Sequence, residues 1–303
     1  MYGLAMNCTA RREEASCGIV GFARSVDVLA CHAVGEILDP AAAARHSHLR
    51  DRTDRDDFIA ARVLARGCIA ALTGSETSAV TVEQRCARCG GPHGAPTVTS
   101  PNGVRVSWSH GGGYVAAGAA WSTIGVDIEV ASRVAGTWYV EAPSVLCAQE
   151  QAIMTASADP QSTFLRAWTR KEAMIKAGYG ALSRLAEIDV TEPSLIGDEA
   201  VNVATDGLFV TDLVSPDFAF CAVSGAPVHL TPAEVVLSGR GFSCTKSANV
   251  SATRSLRSDD LDELRPHRPK RLPRPLREGV FRARVQWTSA CAAADAGRTG
   301  NAK

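Results

Sequence analysis

Ile124-Gly125-Val126-Asp127-Ile128-Glu129 alternates apolar and acidic side chains as a strand does. About forty residues later stands Trp168-Thr169-Arg170-Lys171-Glu172-Ala173-Met174-Ile175-Lys176. Side chains two apart on a strand point to one face, so Asp127 and Glu129 are expected to present their carboxylates together. The second segment lies in a stretch, 161–177, with helical spacing and Phe164, Leu165, Trp168 and Ile175 on one side. Glu172 and Lys176, four apart, share a helix face. Oxygen ligands aimed at one point suit a hard cation, and magnesium is usually held by a few carboxylates plus substrate phosphates. Glu172 can complete such a set from the helix. Alone, an Asp-x-Glu strand reads as an exposed polar face and a Lys-Glu-x-x-x-Lys run as a solvated helix. Together, in this order, a metal, a carboxylate and a lysine point to phosphoryl chemistry.

Outward from these segments the periodicities alternate. Residues 39–72 carry Phe58, Ile59, Val63, Leu64, Ile69 and Leu72 at helical spacing and predict one or two helices. The glycine- and proline-rich stretch 86–96 predicts an irregular loop. Residues 104–107 read as a strand leading into Ser109-His110-Gly111-Gly112-Gly113. The runs 114–121 and 124–129, with Ser122-Thr123 between them, predict a hairpin or adjacent strands. Helices are expected over 145–156 and 161–177, then antiparallel strands over 188–190, 201–203, 208–214 and 218–223.

The order of helix and strands thus occurs twice. The expected fold is α/β (α+β), with two similar halves, 15–123 and 124–230, in a pseudo-twofold relation, each a small antiparallel sheet packed with helices. Residues 231–303, with serine, arginine and proline clusters such as His267-Arg268-Pro269-Lys270-Arg271, predict a basic, disordered tail.

Composition excludes little. The 303 residues, 46% hydrophobic, suffice for a large core, and 32 basic residues balance 32 acidic ones, so net charge argues for no polyanionic partner. No segment approaches a membrane span, residues 1–14 lack the pattern of an export signal, and ten scattered cysteines read as reduced, mostly buried thiols. A cytoplasmic protein without a membrane contact is expected. Cys86-x-x-Cys89 with His93 lacks a second ligand pair nearby, so no zinc is expected. The tail could attract nucleic acid electrostatically, but without aromatic interleaving a nucleic-acid function is not expected.

The two segments together resemble the signature of the 4′-phosphopantetheinyl transferases, over about residues 35–225. The length, the upstream half and the Asp-x-Glu pair resemble the larger, Sfp-like type. The resemblance implies transfer of the phosphopantetheine arm of coenzyme A to a serine of an acyl, peptidyl or aryl carrier protein, in fatty-acid, polyketide or nonribosomal peptide synthesis, by a monomer. It implies Mg²⁺ on Asp127, Glu129 and Glu172, with Lys171 and Lys176 near the pyrophosphate. Ser109-His110-Gly111 resembles a motif whose histidine contacts a coenzyme A phosphate. Arg52, Arg55 and Arg62 stand where the family carries basic residues for the 3′-phosphate, with Arg62 preferred and Arg55 behind it. Glu150, in Ala148-Gln149-Glu150-Gln151, aligns with a candidate general base, a role shared in expectation with Glu172 or a metal-bound water. Gly94-Ala95-Pro96 occupies the place of Gly-Lys/Arg-Pro; Ala95 removes one phosphate contact and is the one feature that favours an impaired binding protein of the same fold.

Overall fold

The computed structural model describes residues 17–31, 38–86, 90–91, 94–197 and 199–238. Two units separate by contact, a main one and a small one that includes Gln84–Ala95. In the small unit the loop closes on itself: Cys86 N donates to Gly91 O at 2.9 Å, Gly90 N to Cys86 O at 2.8 Å, and Gln84 Nε2 to Gly94 O at 3.1 Å. Cys89 and His93 lie outside the described residues.

The main unit opens with strand β1 (Gly18–Arg24), α1 (Ser25–Ala30), α2 (Pro40–Ser47) and α3 (Arg52–Thr73). Next come β2 (Thr81–Gln84), β3 (Pro96–Ser100), β4 (Arg105–Gly111), β5 (Tyr114–Ala120) and β6 (Ile124–Val130). Helices α4 (Ala131–Val134), α5 (Trp138–Val145), α6 (Ala148–Ala156) and α7 (Pro160–Lys176) follow. The chain then builds β7 (Ala200–Thr205), β8 (Leu208–Val214), β9 (Phe218–Ser224), β10 (Val228–Leu230) and α8 (Ala233–Leu237).

Two four-stranded sheets carry the fold, in the orders β10-β1-β5-β4 and β6-β9-β8-β7. Each contains the same sequence of parts: a strand, a long helix, then a hairpin whose second strand returns antiparallel to the first. These are β1, α3 and β4–β5 in one half, and β6, α7 and β8–β9 in the other. The mixed α/β architecture of two similar halves is therefore as expected.

The long helices are written into the sequence. Asp51 caps α3, its side chain accepting from Thr53 N at 2.7 Å, and Asp159 caps α7 ahead of Pro160 at the first turn. α3 buries Phe58, Val63, Leu64 and Ile69 under the first sheet, and α7 buries Phe164, Leu165 and Trp168 under the second. Each such side chain contributes about 1.5–3 kcal/mol on leaving water.

Four expectations change. Runs 114–121 and 124–129 are neither a hairpin nor paired neighbours: β5 pairs with β1 and β4, β6 pairs with β9, and the residues between carry the chain from one sheet to the other. Residues 188–190 form no strand, because Val190 N is spent on the Glu150 carboxylate and not on a ladder. β1 and β10 were not read from the pattern; β10 lies parallel to β1 and returns the chain to the first sheet. Residues 231–237 join the fold, since Thr231 N donates to Val20 O at 2.8 Å and α8 lays Val236 against Gly67 of α3. The rest of the tail, 239–303, lies outside the described residues.

Gly125 is the point where β6 touches α7. A Cβ there would lie 2.0 Å from Ala173 O and 2.4 Å from Ala177 N, both backbone atoms that cannot yield. Thr123 Oγ1, donating to Ala177 O at 2.7 Å, fixes the same approach. Gly125→Ala is expected to cost about 3 kcal/mol, the upper end for overpacking, read as a fall in denaturant midpoint with unchanged slope.

Among the described cysteines, Cys68, Cys86 and Cys221 are buried, Cys17 and Cys147 half-buried and Cys31 exposed. No helix among them is long and apolar enough to cross a membrane.

Candidate active site

β4 and β6 are edge strands of their sheets and meet side by side. Ser107 Oγ accepts from Val126 N at 3.0 Å, and one pleat further Ser109 Oγ donates to Asp127 Oδ1 at 2.7 Å. Alternation then separates neighbours: Ser109 turns to Asp127, while His110 turns to α3 and meets the Phe58 ring edge-on, centroids 6.2 Å apart.

Asp127 is 2% exposed. Its Oδ1 accepts from Lys176 Nζ at 2.6 Å, so the last turn of α7 reaches the strand as expected from the fourfold spacing of Glu172 and Lys176. Glu129 is held from the same helix by Trp168, whose indole N–H donates to its Oε1 at 3.3 Å. Burial would lower the Lys176 pKa, but the charges of Asp127, Glu172 and Glu129, with the Asp127 hydrogen bond, outweigh it and raise the value above the ordinary. All three carboxylates thus act on one ammonium.

A divalent cation fits this group. Asp127 Oδ2 is buried and has no hydrogen-bond partner, an acceptor with its lone pairs unused. Carboxylate oxygens from a strand and a helix are hard donors of the kind magnesium takes. The trio is nevertheless more open than a closed cage. Among the described residues, the trio of acidic, thiol or imidazole donors whose ligand atoms lie within 4.8 Å of one another is Cys147, Glu150 and Asp189. That trio carries its own cation: Lys171 Nζ stands 2.7 Å from Glu150 Oε2, and Cys147 N and Val190 N each donate to Glu150 at 2.9 Å.

Glu150 and Lys171 are consequently not brought to Asp127. Both are fully buried, and Lys171 also donates to Leu185 O at 2.9 Å and to Ile188 O. The reason is helical geometry: Lys171 and Glu172 are adjacent and so about 100° apart around α7, which aims one at the loop before Val190 and the other at β6. Both Glu150 oxygens are thus engaged by protein donors, and the carboxylate is fully buried.

The basic residues divide likewise. Arg62 lies on α3 with its guanidinium carbon 3.4 Å from the Phe58 ring centre and 5.3 Å from that of Trp108, and Nη1 donates to Phe58 O at 2.9 Å. Burial, then the neighbouring charge of Arg45, pulls its pKa down to about 9, so it stays charged at neutral pH. Arg55 instead donates to Leu49 O at 3.1 Å and Arg50 O at 3.0 Å, closing the turn between α2 and α3. Arg52 pairs with Asp56 at 3.6 Å on the exposed face of α3.

His110 marks the centre of a positive cluster. Its surroundings push its pKa down to about 3, first by burial and then through Arg62, Arg45, Lys176 and Arg133. Arg45 and Arg133 were not singled out in the sequence. Arg133 follows β6 on α4 and lays its guanidinium over the β4–β5 turn, where a Cβ on Gly111 would stand 2.7 Å from Nη1. The turn itself runs through Gly112 and Gly113 at φ of 64° and 87°, a backbone that glycine adopts without strain. No spacing rule links Arg45, Arg62 and Arg133; the fold alone gathers them.

A second network was also illegible. Arg166 grips Asp212 with two hydrogen bonds, 3.0 and 2.8 Å, and Arg170 adds a third to the same carboxylate. The two guanidiniums also donate to Val190 O, Pro193 O, Ser194 O, Leu195 O and Gly197 O, fastening the loop between α7 and β7.

The comparison with known families falls on this half. Residues 123–220 match the model of the 4′-phosphopantetheinyl transferase superfamily. The similarity to that superfamily is carried by this segment. The match includes β6, α7, β8 and the start of β9, and with them Asp127, Glu129, Glu172 and Lys176. No curated protein matches the chain. β1, α3, β4 and β5, with Arg62 and His110, precede the matched segment.

Proposed function

We propose that the protein moves the 4′-phosphopantetheine arm of coenzyme A to a serine hydroxyl of an acyl, peptidyl or aryl carrier protein, converting apo to holo carrier. The observation that carries the reading is the meeting of β6 and α7 at Asp127, which pairs with Lys176 at 2.6 Å beside Ser109 and Glu129, with the basic residues around His110 nearby. A substrate with a diphosphate and a separate phosphate needs a cation site and an anion site next to each other. In this reading Asp127, Glu129 and Glu172 would hold Mg²⁺, which when bound neutralises diphosphate charge.

The protein groups divide the remaining work. Arg62 and His110, with Arg45 and Arg133, hold phosphate; His110, neutral at working pH, contributes a hydrogen bond and no charge. Ser109 fixes the Asp127 carboxylate. The carrier serine oxygen forms a bond to the β-phosphorus, its proton passes to the Glu172 carboxylate, and adenosine 3′,5′-bisphosphate leaves with the electron pair of the broken P–O bond. Lys176 meets the charge that develops on that leaving oxygen. Glu150 and Lys171 act as a buried strut that keeps α6, α7 and the loop before Val190 in register.

The Sfp-like type, a monomeric state and a cytoplasmic location belong to the same proposal, as does the division into halves 15–123 and 124–230, which the repeated strand, helix and hairpin support. Arg62→Ala is expected to raise the KM for coenzyme A about ten- to a hundredfold with little change in kcat, since a charged hydrogen bond to phosphate is worth about 1.5–3 kcal/mol. Steady-state rates at varied coenzyme A concentration check it. The reading itself is tested by calorimetric titration of coenzyme A in Mg²⁺ and in EDTA: binding that weakens at least about tenfold in EDTA supports it, and no binding in either buffer overturns it.

A further inference from the structure

Three carboxylates brought together repel one another unless a cation lies among them. Lys176 supplies one. Its Nζ is 2.6 Å from Asp127 Oδ1, its side chain is 16% exposed, and Glu172 and Glu129 act on it as well. Three negative charges and one positive leave two, the charge that a divalent ion cancels. Asp127 therefore has one oxygen committed to the ammonium and one, Oδ2, without a partner.

We infer that Lys176 is the internal counter-ion of the metal site: it holds Asp127, Glu129 and Glu172 in position before a divalent ion arrives and competes with that ion for Asp127. The inference rests on the metal reading proposed above. It separates Lys176 from an ordinary substrate-binding lysine, because a like charge beside the incoming ion weakens metal binding in the protein alone. A diphosphate draws the ammonium from Asp127 toward its own oxygens and relieves the competition. Metal and coenzyme A then strengthen each other's binding, each by the same factor.

Calorimetric titration of the full chain with Mn²⁺, without and with saturating coenzyme A, tests this. Lys176→Met, of similar length and without charge, is expected to bind Mn²⁺ alone at least about tenfold more tightly than the unsubstituted protein. Lys176→Arg, which keeps the charge, is expected to stay within about threefold of it. A lysine with a merely structural part would give the opposite result for methionine, a loosened site and weaker binding. Equal or weaker Mn²⁺ affinity in Lys176→Met, with an unchanged circular dichroism spectrum, overturns the inference and leaves the metal reading standing. The unsubstituted protein provides an independent check that needs no variant: coenzyme A should raise its Mn²⁺ affinity at least about tenfold, and no rise overturns the inference. Failure of the unsubstituted protein to bind Mn²⁺ under either condition overturns the metal reading and the inference with it.

Discussion

Asp127→Ala lowers the rate of phosphopantetheine transfer by at least about 10²- to 10³-fold, the scale on which removal of one preorganised electrostatic group acts. Asp127 is where three elements meet: β6 bears it, Ser109 of β4 donates to it, and Lys176 of α7 pairs with it. The truncation deletes the most buried carboxylate of the cation site and strands the Lys176 ammonium among the two that remain. Asp127→Asn keeps the shape and an acceptor for Ser109 but removes the charge, so it is expected to lose most of the same rate with less effect on stability. Transfer rates for both variants, beside their melting curves, separate the chemical loss from unfolding. Activity within about tenfold of the unsubstituted protein would remove Asp127 from the mechanism.

Asp212→Ala is the largest expected loss of stability. The carboxylate is 1% exposed and is the shared partner of Arg166 and Arg170, whose side chains are 4% and 1% exposed. Removing one member of a buried ion network leaves uncompensated charge and costs about 3–5 kcal/mol. Against a typical total of about 5–15 kcal/mol this lowers Tm by about 10 °C, measurable by differential scanning calorimetry. It also releases the loop that Arg166 and Arg170 hold by its carbonyls, and with it the packing behind α7 that aims Glu172 and Lys176.

The same carboxylate sets an acid limit. Burial alone would raise its pKa, but the hydrogen bonds and charges of Arg166 and Arg170 outweigh burial and hold it below the ordinary 3.8. The folded protein therefore binds this proton less readily than the unfolded chain. The stabilisation is complete above pH 3.8 and is lost as pH falls through the depressed folded value. Denaturant unfolding at descending pH is expected to show that loss in the unsubstituted protein and not in Asp212→Asn.

The sequence made the second half legible because its signals are local. β6 announces itself by alternation and α7 by its apolar stripe and its fourfold Glu-Lys spacing, whereas the Asp159 cap and the Gly125 contact emerge only in the structure. Alternation puts Asp127 and Glu129 on one face of the strand, and the fourfold spacing puts Glu172 and Lys176 on one face of the helix. What escaped is what long-range packing decides. Lys171 reads as a neighbour of Glu172, yet a step of about 100° around the helix turns it into the core, where Glu150 waits. Arg62 reads from the sequence as a phosphate contact, but Arg45 of α2 and Arg133 of α4 do not, and only the fold brings their charges to His110. β10 is three residues long and carries too little pattern to be read, although it returns the chain to β1. Arg166 and Arg170 resemble the wet face of an amphipathic helix until β8 places Asp212 against them.

The most direct measurement is the intact mass of an apo carrier protein after incubation with this protein, coenzyme A and Mg²⁺. A gain of one phosphopantetheinyl group, absent in EDTA and with Asp127→Ala, is the predicted result. An unchanged carrier mass, under conditions in which another phosphopantetheinyl transferase loads the same carrier, would contradict it.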